Sequence, residues 1–279
     1  MIKRRLSLLQ NKVALITGAG RGIGRGIAEV FAQAGASVVI SDIQKDIGES
    51  VAKNICNKGM NASYIQCDLR KEDDIKKMMR LCVRKYGGLD IIINNARPKL
   101  QNLSFADSLG EWDLAMDVLL KAPALIAKHA LPELKKSKQG NIINISSTNA
   151  FFISHQPAAY HVAKTGLIQL TKFLAYEFGS HGIRVNAVCP ALVDVYDENR
   201  KPLTDNPINK KVAELVVPLR RVSVVEEIAQ VALFLCTKAA SYITGQILTV
   251  DGGVTLGDHF GIARKAFLEG SVSDREEKK

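Results

Sequence analysis

Short apolar runs alternate with longer amphipathic stretches along most of the chain. Residues 12–17 (Lys-Val-Ala-Leu-Ile-Thr) predict a buried strand, and the helical pattern after them runs to Ala34, where Gly35 ends it. Ser37 to Ser41 predict a second strand that ends at Asp42. A helix over 44–58, a strand over Ser63–Cys67 and a charged amphipathic helix over 71–86 continue the alternation. Leu89–Asn94 and Asn141–Ile145 read as strands on either side of one long helix, 111–136, which contains Pro123. The next helix carries Tyr160 and runs to about Gly179. Arg184–Val188, a helix over 225–236 and a last strand over Gln246–Val250 complete the pattern, while 194–211 looks helical only in pieces. Strands alternating with helices predict an α/β fold: a doubly wound, Rossmann-like parallel sheet of about seven strands with helices on both faces.

In such sheets ligands bind outside the carboxyl ends of the strands. Gly18, Asp42, Asp68, Asn95, Ser147 and Pro190 all fall at predicted strand ends. The first strand leads into Gly18-Ala-Gly-Arg-Gly22-Ile-Gly24, where glycines let the backbone turn sharply and approach a pyrophosphate seated on the helix N-terminus. The spacing is not that of a P-loop, and no Gly-Lys-Ser/Thr follows. A carboxylate at Asp42 accepts hydrogen bonds from ribose hydroxyls and repels a 2′-phosphate, which favours NAD over NADP. Arg21, Ser41 and Lys45 are close enough in sequence to keep NADP as the alternative. Tyr160 and Lys164 are four residues apart and share a helix face. An ammonium there favours the phenolate and suits Tyr160 to proton transfer near neutrality.

Composition narrows the class. The chain has 279 residues with no linker-like break, so one domain is expected over 1–279. It comprises a core at 11–253, a short basic lead at 1–10 and an extension at 254–279. Hydrophobic residues at 47% supply a sizeable core, and no apolar run is long enough to cross a bilayer. No secretory pattern follows the basic start. Five scattered cysteines without a C-x-x-C pair predict reduced thiols in a cytoplasmic protein. Five histidines without metal-ligand spacing predict no metal site. The net charge of +10 is spread, interleaved with acids and without aromatic platforms, so it suggests a general attraction for anionic ligands rather than nucleic-acid binding.

Taken together, Thr17-Gly-Ala-Gly-Arg-Gly-Ile-Gly24, Asp68, Asn94-Asn95-Ala96, Ser147, Tyr160-x-x-x-Lys164, Asn186-Ala-Val-Cys-Pro190 and Thr244-Gly-Gln-Ile-Leu-Thr-Val-Asp251-Gly-Gly253 resemble the short-chain dehydrogenase/reductase family over about 11–253. The resemblance implies hydride transfer between a nicotinamide and an alcohol or carbonyl carbon. It makes Tyr160 the acid/base, Lys164 its partner and nicotinamide-ribose ligand, and Ser147 the group that holds the substrate oxygen. Gly18, Arg21, Gly22, Ile23 and Gly24 would cradle the cofactor. Asp68 and Leu69 would meet the adenine, Asn95 would lie along the cofactor, and Pro190 and Val193 would border the nicotinamide. It also implies a homotetramer pairing the helices of Tyr160 and Trp112.

Four positions depart from the family pattern: Arg97 for glycine, Leu119 for the asparagine of a proton relay, Ala191 for glycine, and Asp194 for threonine. Pro123 removes the helical partner of the Leu119 carbonyl, so one expectation is a kinked helix that keeps a water site by its backbone. The other is that Leu119 only fills core and the relay is damaged. Substrate contacts are expected from Pro98–Leu109, Asn149–Gln156 and Val193–Val217, with Arg97, Asn149 and His155 as candidates. The polar segment 194–211 tilts toward a small polar or anionic substrate rather than a steroid, such as a sugar-like compound or a hydroxy acid, and the guanidinium of Arg97 could bind an anionic group. An NADPH-dependent 3-oxoacyl-(acyl carrier) reductase is the alternative chemistry, and a non-catalytic nucleotide-binding sensor or scaffold is the alternative of another class. The tail is expected to be disordered at its end, with 258–269 covering a neighbouring subunit.

Overall fold

The computed structural model describes residues 7–101, 104–195, 201–258, 260–262, 264 and 267–268. The expectation for the end of the chain lies outside the described residues, as do 259, 263, 265, 266 and 269 of the segment 258–269. In chain order the elements begin β1 Val13–Thr17, α1 Gly22–Gln33, β2 Ser37–Asp42, α2 Lys45–Asn57, β3 Ala62–Gln66, α3 Glu72–Tyr86 and β4 Ile91–Asn94. They continue α4 Phe105–Ser108, α5 Trp112–Met116, a π turn Asp117–Lys121, α6 Ala122–Lys136, β5 Asn141–Ile145, α7 Ala158–Phe178 and β6 Arg184–Pro190. Two-residue strands β7 Val193–Asp194 and β8 Ser223–Val224 flank α8 Pro207–Val216, and α9 Val225–Cys236 and β9 Ile247–Val250 complete the fold.

Seven strands form one sheet in the order β3-β2-β1-β4-β5-β6-β9, and every pairing is parallel. Their side chains alternate between two cores. Ala14, Ile16, Val38, Ile40, Ile91, Ile93, Ile143 and Val188 pack with Ile27, Val51, Ile55 and Ile228 of α1, α2 and α9. Val13, Leu15, Val39, Ile92, Ile142 and Val185 pack with Ile75, Met78, Ile126 and Leu174 of α3, α6 and α7 on the other face. Both faces are covered, which is why these strands read as continuous apolar runs.

The chain winds outward one way from β1 through β2 to β3, then the other way from β4 onward. The loops after β1 and β4 therefore diverge and open a crevice at the carboxyl edge. Four cysteines are buried, and burial pushes the thiols of Cys67, Cys82 and Cys236 up to about 12 and that of Cys189 to about 11. Protonated thiols are poor nucleophiles and poor metal ligands. Among the described residues no group of three or more His, Cys, Asp or Glu is placed to hold a metal, and no helix is long and apolar enough to cross a membrane.

The predicted helix 111–136 is in fact two α-helices joined by a π turn. The Ala122 N–H donates to the Asp117 carbonyl, five residues back. Pro123 has no N–H, so the Leu119 carbonyl lacks its usual helical donor, and a π turn at such a point is the expected relief.

Candidate active site

The glycine turn shows why no other residue serves there. Gly18 has φ of +61°, and a Cβ on it would stand 2.6 Å from the Ala96 Cα in the loop after β4. A Cβ on Gly24 would come within 2.4 Å of both Asn95 Nδ2 and the Gly18 carbonyl oxygen. Two loops therefore touch backbone to backbone. Thr17 Oγ1 accepts from the N–H groups of Asn95 and Ala96, and the Asn95 amide donates to the carbonyls of Thr17 and Gly18. Sequence reading placed Asn95 along the cofactor. The structure also gives it a positioning task with Thr17, whose role left no local signal.

Helix α1 begins at Gly22. Its N-cap residue, Arg21, makes no side-chain cap, and its first turn carries no acid. The first N–H groups and the positive end of the helix dipole are left for an external anion. Arg21 Nη2 instead donates to the Gln44 side chain. Asp42 lies at the end of β2, where one carboxylate oxygen accepts from the Gly20 N–H (3.0 Å) and the other from Gln44 N–H (3.0 Å). Ile23 packs on the core below. A sharp turn without side chains, a free helix terminus and a carboxylate beside it fit the pyrophosphate and adenosine ribose of a dinucleotide.

Other expected cofactor residues are engaged within the protein. Arg70 donates to both Asp68 oxygens, with Nη2 at 2.6 Å, and this pair holds the Asp68 carboxyl below the usual range. An adenine contact at Asp68 would share the carboxylate with Arg70. Leu69 is buried in the core. Pro190 ends β6 and Val193 is buried in β7. Asp194 accepts from the Leu203 N–H (2.6 Å) and the Thr204 hydroxyl (2.5 Å), which makes it an anchor for the segment before α8.

The candidate catalytic residues meet at the ends of β5 and α7. Tyr160 is 7% and Lys164 4% exposed. Lys164 Nζ lies 5.7 Å from the Tyr160 ring centroid and donates to the Ile145 carbonyl at 2.6 Å. Ile145 is two residues before Ser147, so one bond ties the lysine to the strand end that carries the serine. Ser146 Oγ donates to the Lys164 carbonyl, a second tie. Ser147 Oγ accepts from the Asn149 N–H at 3.2 Å. Burial first, and the nearby Arg97 charge second, push the Lys164 ammonium down to about 7. Below the lysine lies a cavity of about 10 Å³, room for one water, lined in part by Thr17, Asn94, Leu119, Pro123 and Lys164. Asn94 Oδ1 is buried without a hydrogen-bond partner among the described residues, and its amide donates to Asn144. The helix here carries the π turn Asp117–Lys121. Leu119 is also buried among Ala115, Ala159 and Tyr160, so it both fills core and walls the cavity.

Of the substrate candidates, Arg97 is brought onto the catalytic tyrosine. Its guanidinium carbon stands 4.7 Å from the Tyr160 ring centroid, and Nη2 donates to Gln156 Oε1 at 2.7 Å. Asn149 follows Ser147 closely and its carbonyl lies 2.9 Å from His161 Nδ1. His155 is exposed on the same loop. His161, which sequence reading passed over, also meets the Ser154 carbonyl through Nε2 and so fastens this loop to α7.

A family profile described as enoyl-(acyl carrier protein) reductase matches residues 18–255. The chain is 39% identical over 89% of its length to the 3-oxoacyl-(acyl-carrier-protein) reductase FabG of Chlamydia muridarum, covering 99% of that protein. It is 35% identical to human dehydrogenase/reductase SDR family member 4, with 88% of each chain covered. A solved Serratia marcescens short-chain dehydrogenase/reductase, a double mutant, superposes with a TM-score of 0.80 at 30% identity, over 88% of this chain and 99% of that one. With the parallel sheet, the glycine turn and the Tyr160–Lys164 pair already in place, these matches establish that the chain belongs to the short-chain dehydrogenase/reductase family of nicotinamide-dependent oxidoreductases.

Proposed function

We propose that the protein interconverts a secondary alcohol and a ketone on a small polar substrate, with Ser147, Tyr160 and Lys164 as its catalytic residues. The reading is carried by one observation: Tyr160 and Lys164 lie together on α7, and the lysine ammonium is bonded to the strand end that leads into Ser147. When bound, the nicotinamide supplies or accepts the hydride. Ser147 Oγ and the Tyr160 hydroxyl hold the substrate oxygen, and the tyrosine gives that oxygen its proton in reduction or takes it in oxidation. Lys164 Nζ, 5.7 Å from the Tyr160 ring centroid, brings positive charge to the ring whose oxygen develops negative charge as the proton leaves. The glycine turn, Asp42 and Asn95 support a dinucleotide, and Asp42 beside Gly20 supports NAD in preference to NADP.

The names of the relatives favour a second reading, an NADPH-dependent reductase of 3-oxoacyl groups on an acidic carrier, which the charge of +10 would attract. We place the protein in the cytoplasm and take it to be a homotetramer; Phe173 and Tyr176, which stand 60% and 91% exposed on α7, support the self-association. Titration with NADH and NADPH, read by nicotinamide fluorescence, separates the two chemistries. Tyr160→Phe is expected to retain cofactor binding and lose at least about 10²-fold in turnover; unchanged turnover, or a biological role that survives the change, would leave the scaffold reading in front.

A further inference from the structure

The guanidinium of Arg97 lies over the ring of the catalytic tyrosine, 4.7 Å from its centroid and closer than the Lys164 ammonium at 5.7 Å. It is held there by a neutral partner, Gln156, at 2.7 Å, from a loop 59 residues further along. No ion pair among the described residues includes Arg97. Carboxylates at the same end of the sheet have other partners: Asp68 has Arg70, and Asp194 has Leu203 N–H and the Thr204 hydroxyl. Arg97 and Lys164 thus place two cationic groups on one aromatic ring, and the charge of the first already disfavours the charged form of the second.

Gln156 accepts from a single nitrogen, Nη2, so the guanidinium retains further N–H donors in its planar fork. Such a fork suits a planar or tetrahedral oxyanion. An oxyanion bound there would stand a few bonds from a substrate oxygen on the Tyr160 hydroxyl, and it would also relieve the repulsion between the two cations.

Building on the oxidoreductase reading above, we propose that Arg97, steadied by Gln156, is a specificity residue that takes an anionic oxygen group on the substrate, so that the preferred substrates are hydroxy or oxo acids, or their phosphate-bearing counterparts, rather than neutral alcohols and ketones. Arg97 acts on binding and orientation and moves no proton. Its cation–π contact with Tyr160 fixes the direction in which the fork points.

The test uses the full-length protein. Malonate and inorganic phosphate are titrated separately into the wild type and into Arg97→Gln and Arg97→Lys, each with and without saturating NADH. In parallel, kcat/KM is compared for acetoacetate and its methyl ester. Arg97→Gln is expected to weaken the tighter-binding anion by about 10- to 100-fold, with Arg97→Lys in between because it keeps the charge and loses the fork. The wild type is expected to favour the acid over the ester, and Arg97→Gln to bring that ratio toward one. Tighter binding of malonate assigns a carboxylate, and tighter binding of phosphate assigns a phosphate ester. Equal anion affinity in the wild type and Arg97→Gln, or a wild type that favours the ester, overturns the proposal. Failure to bind either NADH or NADPH instead overturns the oxidoreductase reading, while the anion titrations without cofactor still decide on Arg97.

Discussion

Replacing Lys164 with methionine should stabilise the cofactor-free protein at acid pH while abolishing its activity. The lysine is buried, and burial moves its ammonium from 10.5 to about 7. A shift of that size corresponds to about 5 kcal/mol of stability lost by folding around a protonated amine. Below pH 7 the lysine is protonated in both folded and unfolded chains, and the whole penalty stands. Between pH 7 and 10.5 the unfolded chain binds more protons than the folded one, so the stability of the wild type rises with pH. Methionine carries no such penalty, fills much of the same volume, and leaves the Ile145 carbonyl without its 2.6 Å donor, a loss of about 1–3 kcal/mol. The net advantage at pH 6 is about 2–4 kcal/mol, or roughly 3–7 °C in Tm for a chain of 279 residues. Thermal melts of both proteins at pH 6, 7.5 and 9 measure it. The gap should be widest at pH 6 and close toward pH 9. A gap that does not change with pH, or a variant that melts below the wild type at pH 6, refutes the reasoning.

Two further changes probe the cofactor cradle. Asp42→Ala removes the acceptor of the Gly20 and Gln44 N–H groups and the charge that would repel a 2′-phosphate. The ratio of NADPH to NADH affinity should rise at least about 10-fold by fluorescence titration, and an unchanged ratio would remove Asp42 from cofactor choice. Gly24→Ala forces a methyl group within 2.4 Å of Asn95 Nδ2 and the Gly18 carbonyl. It should cost about 1–3 kcal/mol in chemical denaturation and weaken nicotinamide binding at least about 10-fold; binding at wild-type strength would show that the two loops can separate freely.

The parts of this site that sequence reading reached are those written in local code. A glycine-rich turn between an apolar run and a helix, an acid at the next strand end, and a tyrosine and lysine one turn apart each have a spacing that the backbone enforces. The strand boundaries followed for the same reason, since the β1 and β4 runs are buried on both faces and contain little but aliphatic residues. What stayed hidden depends on partners far along the chain. Arg97 meets Tyr160 and Gln156 only after β4, β5 and α7 have assembled, and no periodicity announces it. Asp68 was read as an adenine neighbour and Asp194 as a departure from the family's threonine, yet nearby donors already engage both of them. Pro123 was visible as an interruption, but whether a helix answers by bending, ending or slipping into a π turn depends on the neighbours it packs against.

The contact between the loops after β1 and β4 has a kinetic consequence. Thr17 and Asn95 join those loops through four hydrogen bonds, and Arg97 stands two residues beyond Asn95. Ordering the glycine turn around a dinucleotide therefore restricts the backbone that presents the Arg97 fork. Energetic coupling between two binding sites is reciprocal, so the factor by which a bound nicotinamide tightens an anion is also the factor by which the anion tightens the nicotinamide. Such coupling favours a stable abortive complex of cofactor with an unreactive acid. Inhibition patterns from simple dicarboxylates would then report on an amide clamp that never touches them.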